Sequence, residues 1–162
     1  MQQYYTGVGS RKTPDDILAL MERIAMHAAH KGVTLRSGGA LGADSAFETG
    51  CSMGAKEIYL AHHATPKAMS IAAQFHPVWH KLPAYVQKLH GRNAFQVLGM
   101  DLKTPSQALV CWTPDGCISH TTRSIKTGGT GTAISIAEAY KVPVYNLRHA
   151  THVKCWEDWL NT

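Results

Sequence analysis

The sequence predicts an α/β, Rossmann-like fold: a mostly parallel sheet of about five strands with helices on both faces. Three observations lead there. Short strand-like runs alternate with amphipathic segments along the whole chain. Two glycine-rich turns, Gly38-Gly39-Ala40-Leu41-Gly42-Ala43-Asp44 and Thr127-Gly128-Gly129-Thr130-Gly131-Thr132, each lie between a strand-like and a helix-like run. The 162 residues, 44% hydrophobic and 17% charged, suffice for one packed domain over residues 1–162 and are too apolar for a disordered chain.

The elements follow in order. Gln3 to Val8 reads as a first strand. The next helix runs from Pro14 to about Lys31, with Ile17, Leu20, Met21, Ile24 and Ala28 on one face. Thr13 is its expected N-cap, Pro14 its first residue and Gly32 its stop. Val33 to Ser37 makes a second strand, Asp44 to Met53 a short helix ended by Gly54, and Glu57 to Ala61 a third strand. Residues 66–101 read as helix in two pieces broken near Pro77 or Pro83. Gln107 to Trp112 is a fourth, strongly apolar strand, Thr132 to Tyr140 a helix, Val142 to Leu147 a fifth strand and Val153 to Leu160 a closing helix.

In an open parallel sheet the ligand site lies outside the carboxyl ends of the strands, where strand order reverses. The turns Gly9 to Lys12, Gly38 to Asp44 and Thr127 to Thr132 follow strands one, two and four, so they are expected to converge on one pocket. Backbone N–H groups at a helix N-terminus favour an anion, most commonly a phosphate. The amides of Gly9, Ser10 and Arg11 and the Arg11 guanidinium are candidates to hold it. Gly38, Gly39 and Gly42 permit close ligand approach, and Asp44 either meets a ribose hydroxyl or caps its helix. Thr127, Gly128, Gly129, Thr130, Gly131 and Thr132 are the leading anion site, since glycines flanked by hydroxyls supply both N–H and O–H donors. Arg36 and Arg123 are further candidates on the same rim.

Other classes are set aside by the same residues. No Gly-x-Gly-x-x-Gly follows the first strand and no Walker lysine is present, so a dinucleotide or ATPase site is not expected. Cys51, Cys111, Cys117 and Cys155 contain no Cys-x-x-Cys pair, and neither a disulfide framework, a metal nor a resident cofactor is expected. A net charge of +5 is compatible with an anionic partner without choosing one. No apolar run approaches the ~20 residues of a membrane span, and the first residues lack a signal peptide's pattern, so the expectation is a cytoplasmic protein without membrane contact.

Thr6-Gly7-Val8-Gly9-Ser10-Arg11, the turn from Ser37 to Asp44, Gly91-Arg92-Asn93 and the Thr127 to Thr132 turn followed by Ala137 resemble, in this order, the SLOG superfamily. That group joins the DNA-processing protein A (Smf/DprA) domain to the LONELY GUY phosphoribohydrolases. The resemblance covers most of residues 4–147 and is closest to small stand-alone DprA-like proteins of the kind carried by phages. It implies a nucleotide or nucleotide-derived ligand, a role for Arg92 and Asn93 in binding it, and a homo-oligomer whose surface the apolar helices of residues 68–100 would provide.

Two alternatives come with the resemblance. LONELY GUY enzymes hydrolyse the N-glycosidic bond of nucleoside 5′-monophosphates with a glutamate in Gly-Gly-x-Gly-Thr-x-x-Glu, where this chain has Ser135. Asp44 and Glu48, one helical turn apart, are the candidate replacement acid/base pair, and Asp115 is a third acid near the same edge. The DNA-processing branch binds single-stranded DNA, with Trp79, Tyr85, Phe95 and Trp112 available either to stack on bases or to pack. Leu41 and Ala94 stand where that branch carries arginines, and each change removes a phosphate-facing charge.

Overall fold

The computed structural model describes residues 1–52 and 54–162. Its centre is a five-stranded, all-parallel sheet of β1 (Gln3–Gly7), β2 (Val33–Ser37), β3 (Lys56–Ile58), β4 (Leu109–Cys111) and β5 (Val144–Asn146) in the order β3-β2-β1-β4-β5. Tyr5 lies beside Leu35, Leu35 beside Lys56, Gly7 beside Val110 and Cys111 beside Asn146. The chain moves outward from β1 through β2 to β3, then returns to the other side of β1 as β4. The switch point therefore falls between β1 and β4.

Among the described residues, six α-helices cover the sheet: α1 (Asp15–His30), α2 (Ala43–Gly50), α3 (Pro66–Ala73), α4 (Ala84–Leu98), α5 (Thr130–Ala139) and α6 (Ala150–Trp159). Period-two alternation divides the strands between two cores. Leu109 and Cys111 join Phe95, Val97, Leu98, Ile134 and Ile136 on one face. Val110, Tyr5 and Leu35 join Leu20, Met21, Ile24 and Phe47 on the other, where Trp156 and Trp159 of α6 pack at the margin. Among the described residues, no helix is long and apolar enough to cross a membrane.

The α/β class and the sequence of elements agree with expectation, and the departures have local causes. Thr13 does not cap α1: its hydroxyl donates to the Ser10 carbonyl at 2.7 Å, and extended Pro14 stands at the cap position. Gly32 does follow the end of α1, in the left-handed region at φ 76°. The break between the helices of residues 66–101 spans both prolines, because α3 ends at Ala73 and α4 starts after Pro83. α2 ends at Gly50, short of the expected Met53, which lies outside the described residues. Most other strands and helices differ from the expected limits by one to three residues.

α1 and α2 cross where Gly50 leaves room for backbone. A Cβ there would overlap the Glu22 carbonyl oxygen and sit 2.8 Å from the Ala25 Cβ. Gly50→Ala is expected to lower stability by about 1–3 kcal/mol through overpacking, measured by urea denaturation. An unchanged midpoint would mean that the two helices can separate without loss.

A candidate anion site at the switch point

The turn after β1 is fixed from three sides. Ser10 donates its N–H to the Trp112 carbonyl at 3.0 Å, and its own carbonyl accepts from Thr13 and from the Ala43 N–H. Its hydroxyl accepts from the Lys12 N–H at 3.0 Å. The expectation that Ser10 offers its amide to a ligand is therefore corrected: Trp112, just past β4, consumes it. The Arg11 N–H has no partner among the described residues, and the exposed side chains of Arg11 and Lys12 line the cavity described below.

The turn after β2 behaves differently. Gly42 adopts φ 86°, and a Cβ on it would lie 2.7 Å from the Ser10 carbonyl oxygen, so this glycine lets two turns touch. Gly39, at φ 72°, faces Ile58 and Leu60. Gly38 is surrounded by the chain's own polar groups: a Cβ there would meet the Gln96 amide, lie 2.9 Å from Asp44 Oδ2 and 3.1 Å from Arg92 Cζ. None of the three lines the cavity. The room beside each of them is taken up by this chain's own atoms.

Asp44 does line the cavity, yet it is only 4% exposed. Burial pushes its carboxyl up to about 6, against the opposing pull of the Ala40 N–H, the Arg92 guanidinium and the amides of Gly38 and Gly9. The Ala40 N–H lies 3.2 Å from Oδ2. Glu48 does not join it. Its carboxylate pairs with Lys56 of β3 at 3.1 Å and lies away from the cavity, so the expected acid/base pair is not assembled.

The late glycine turn is built on Asp115. Ser124 donates its hydroxyl to Asp115 Oδ2 at 2.6 Å, Thr127 donates to the same oxygen, and the Cys117 N–H reaches Oδ1 at 3.3 Å. Burial works to raise the Asp115 pKa, but these donors, with Thr113, hold it at about 2. Thr127 also accepts the Ser124 N–H at 2.9 Å, closing a 3₁₀ turn over Ile125–Thr127. Its hydroxyl is thus used inside the protein, and so is that of buried Thr132, which lies 2.8 Å from His90 Nδ1 and 2.9 Å from Arg123 Nη2. Gly131 is packed against Arg123.

What remains open is narrow. Gly131 and Thr132 turn their N–H groups to Gly128 and Gly129, whereas the amides of Gly129 and Thr130 have no partner among the described residues. They stand at the N-terminus of the ten-residue α5. The aliphatic positions of α5 fix this end, since Ala133, Ile134, Ile136 and Ala137 are buried against the sheet.

Helix α4 ties the two turns together. Arg92 Nη1 donates to the Gly38 carbonyl at 2.7 Å, and the next residue, Asn93, donates through Nδ2 to the Gly129 carbonyl at 3.1 Å. Between the turns lies a cavity of about 910 Å³, lined by the Gly9 to Lys12 turn, Asp44, residues of α4 and residues 125–130. Arg11, Lys12, Arg92 and Lys126 bring four cations to its wall against the single carboxylate of Asp44. A second cavity of about 620 Å³ shares His90, Ile125, Gly128 and Gly129 with it. Among the described residues, no cluster of three or more metal-ligating side chains occurs.

The chain matches no family model, no curated protein and no solved structure.

The other sequence candidates fall elsewhere. Arg36 is buried, pairs with Glu57 at 3.3 Å and donates to the Thr104 carbonyl at 2.6 Å, away from the rim. Arg123 donates to the Phe75 carbonyl at 2.7 Å and lines the second cavity. Phe95 and Trp112 pack in the two cores, while Tyr85 is exposed. Ser135 is buried and bonded to His120 Nδ1 at 2.8 Å. Sequence reasoning missed Lys126, His90 and Gln96. The signal for Gln96 was one polar residue within the otherwise apolar stretch Ala94 to Leu98, one turn beyond Arg92.

Two buried groups make stability respond to pH in opposite senses. Asp44 titrates higher in the fold, at about 6 against an ordinary 3.8, so its contribution falls as pH rises between those values, by up to about 3 kcal/mol. His90 titrates lower, near 4 instead of 6.5, because of burial and then the charges of His76, Arg123 and Arg92. It stays neutral in the fold while the unfolded chain takes up a proton, so its contribution falls as pH drops through that window. Asp44→Asn removes only the first effect. Denaturation from pH 4 to pH 7 is expected to show the wild type losing up to about 3 kcal/mol relative to the variant as pH rises. A pH-independent difference would mean that Asp44 titrates normally.

Proposed function

We propose that this chain binds a nucleotide or nucleotide-derived molecule through its phosphate in the switch-point cavity. The observation that carries the reading is the pair of unpartnered N–H groups of Gly129 and Thr130 at the start of α5, two residues that line the same cavity as the cationic turn of Arg11 and Lys12. The resemblance to the SLOG superfamily agrees with it, and a cavity of about 910 Å³ has room for more than a bare phosphate.

A thermal-shift panel of mono-, di- and cyclic nucleotides tests the proposal. A ligand at 100 times its dissociation constant adds about 2.7 kcal/mol of stability and a corresponding rise in Tm. Arg11→Ala is expected to weaken binding about tenfold or more, the loss of one charge-assisted contact. No stabilisation by any member of the panel would contradict the reading.

A hydrolase is the second reading, favoured by one observation. Asp44 lines the cavity with its carboxyl pushed up to about 6, near the range where an acid can exchange a proton at neutral pH. Incubation with nucleoside 5′-monophosphates is then expected to release free base, and Asp44→Asn to abolish the release. Base release that survives Asp44→Asn would remove Asp44 from the chemistry.

A further inference from the structure

We propose that Gln96, together with Asp44, reads the hydroxyl groups of a pentose attached to the bound phosphate, so that the cavity selects ribose over 2-deoxyribose. The inference rests on the phosphate-binding reading above.

Gln96 is 1% exposed and lines the cavity, and its Oε1 has no hydrogen-bond partner among the described residues. A buried acceptor left unmet is costly, and native structures rarely retain one without a reason. Arg92 Nε, in the same wall, is a buried donor in the same condition. Gly38 brings these groups together: its missing side chain lets the Gln96 amide, Asp44 Oδ2 and the Arg92 guanidinium close around one point. The cluster offers carbonyl and carboxylate acceptors beside guanidinium and amide donors. A hydroxyl donates once and accepts as well, so a vicinal diol suits such a mixed set better than an anion or an apolar group does.

Position separates a sugar from a base. Asn93 holds the Gly129 carbonyl beside the free amides of the anion turn, and Gln96 lies three residues further along the same helix. Residues with that spacing have Cβ atoms ~5–6 Å apart, so the polar cluster stands about one turn of helix from the phosphate. The group bonded directly to the phosphate, the pentose, falls at that range, and a base lies beyond it.

Calorimetric titration with inorganic phosphate, ribose 5-phosphate and 2-deoxyribose 5-phosphate tests the inference. Ribose 5-phosphate is expected to bind the wild type at least about tenfold more tightly than its deoxy counterpart, since a site built for a hydroxyl rejects the analogue lacking it. In Gln96→Met, similar in bulk but without the amide, the ratio is expected to fall toward one, with inorganic phosphate binding reporting that the cavity is intact. Asp44→Asn gives a second, independent measurement of the same ratio and is expected to lower it. Equal affinities for the two sugar phosphates in a wild type that binds inorganic phosphate overturn the hydroxyl reading alone. So does a ratio that survives Gln96→Met. Failure of all three probes to bind the wild type overturns the phosphate reading and this inference with it.

Discussion

The geometry of the switch-point cavity depends on two hydrogen bonds made by adjacent residues of α4. Arg92 holds the carbonyl of Gly38 at the end of β2, and Asn93 holds the carbonyl of Gly129 at the start of α5. Successive helical residues point about 100° apart, so neighbouring positions on one rigid element can reach two turns that are distant in sequence. The Gly129 and Thr130 amides of that turn are left without partners among the described residues. Asp115 completes the arrangement by collecting the hydroxyls of Ser124 and Thr127, so the turn is held before any ligand arrives. Such preorganisation lowers the ordering cost of binding an anion.

Electrostatics sharpens the picture. Arg11 and Lys12 are exposed to solvent, whereas Asp44 is buried beside Arg92 and the Gly9 amide. Burying a carboxylate whose pKa rises to about 6 costs stability at neutral pH, and such a cost is commonly found where a residue serves a site. His90, which meets Thr132 in the first turn of α5, adds an opposite sensitivity through its burial and then the charges of His76, Arg123 and Arg92. The cavity thus joins exposed cations to a buried polar cluster.

Much of the fold was legible because its signals are local. The apolar stripe of α1, Gly32 at its end and the apolar run around Leu109, Val110 and Cys111 each act within a few residues. The site was legible only in part, because the missing information is non-local. A glycine in a turn reads the same whether its empty side is taken by a ligand or by the protein. For Gly38 the occupants are Asp44, Arg92 and Gln96, two of them more than fifty residues away. Glu48 has the right helical spacing to accompany Asp44, but Lys56 on the next strand captures it. The Thr127 and Thr132 hydroxyls look like ligand donors until Asp115, His90 and Arg123 are seen to use them. The first turn of α5 could be found from sequence; which of its amides stay free could not.

The free amides of Gly129 and Thr130 can be observed one by one. Two-dimensional ¹⁵N–¹H NMR of the labelled protein, titrated with adenosine 5′-monophosphate, follows every backbone N–H separately. Phosphate capture at the first turn of α5 predicts saturable shifts concentrated at Gly129, Thr130 and Arg11, while the Ser10 amide, already bonded to Trp112, moves little. Saturable binding whose shifts avoid Gly129 and Thr130, or their silence up to millimolar ligand, would contradict it.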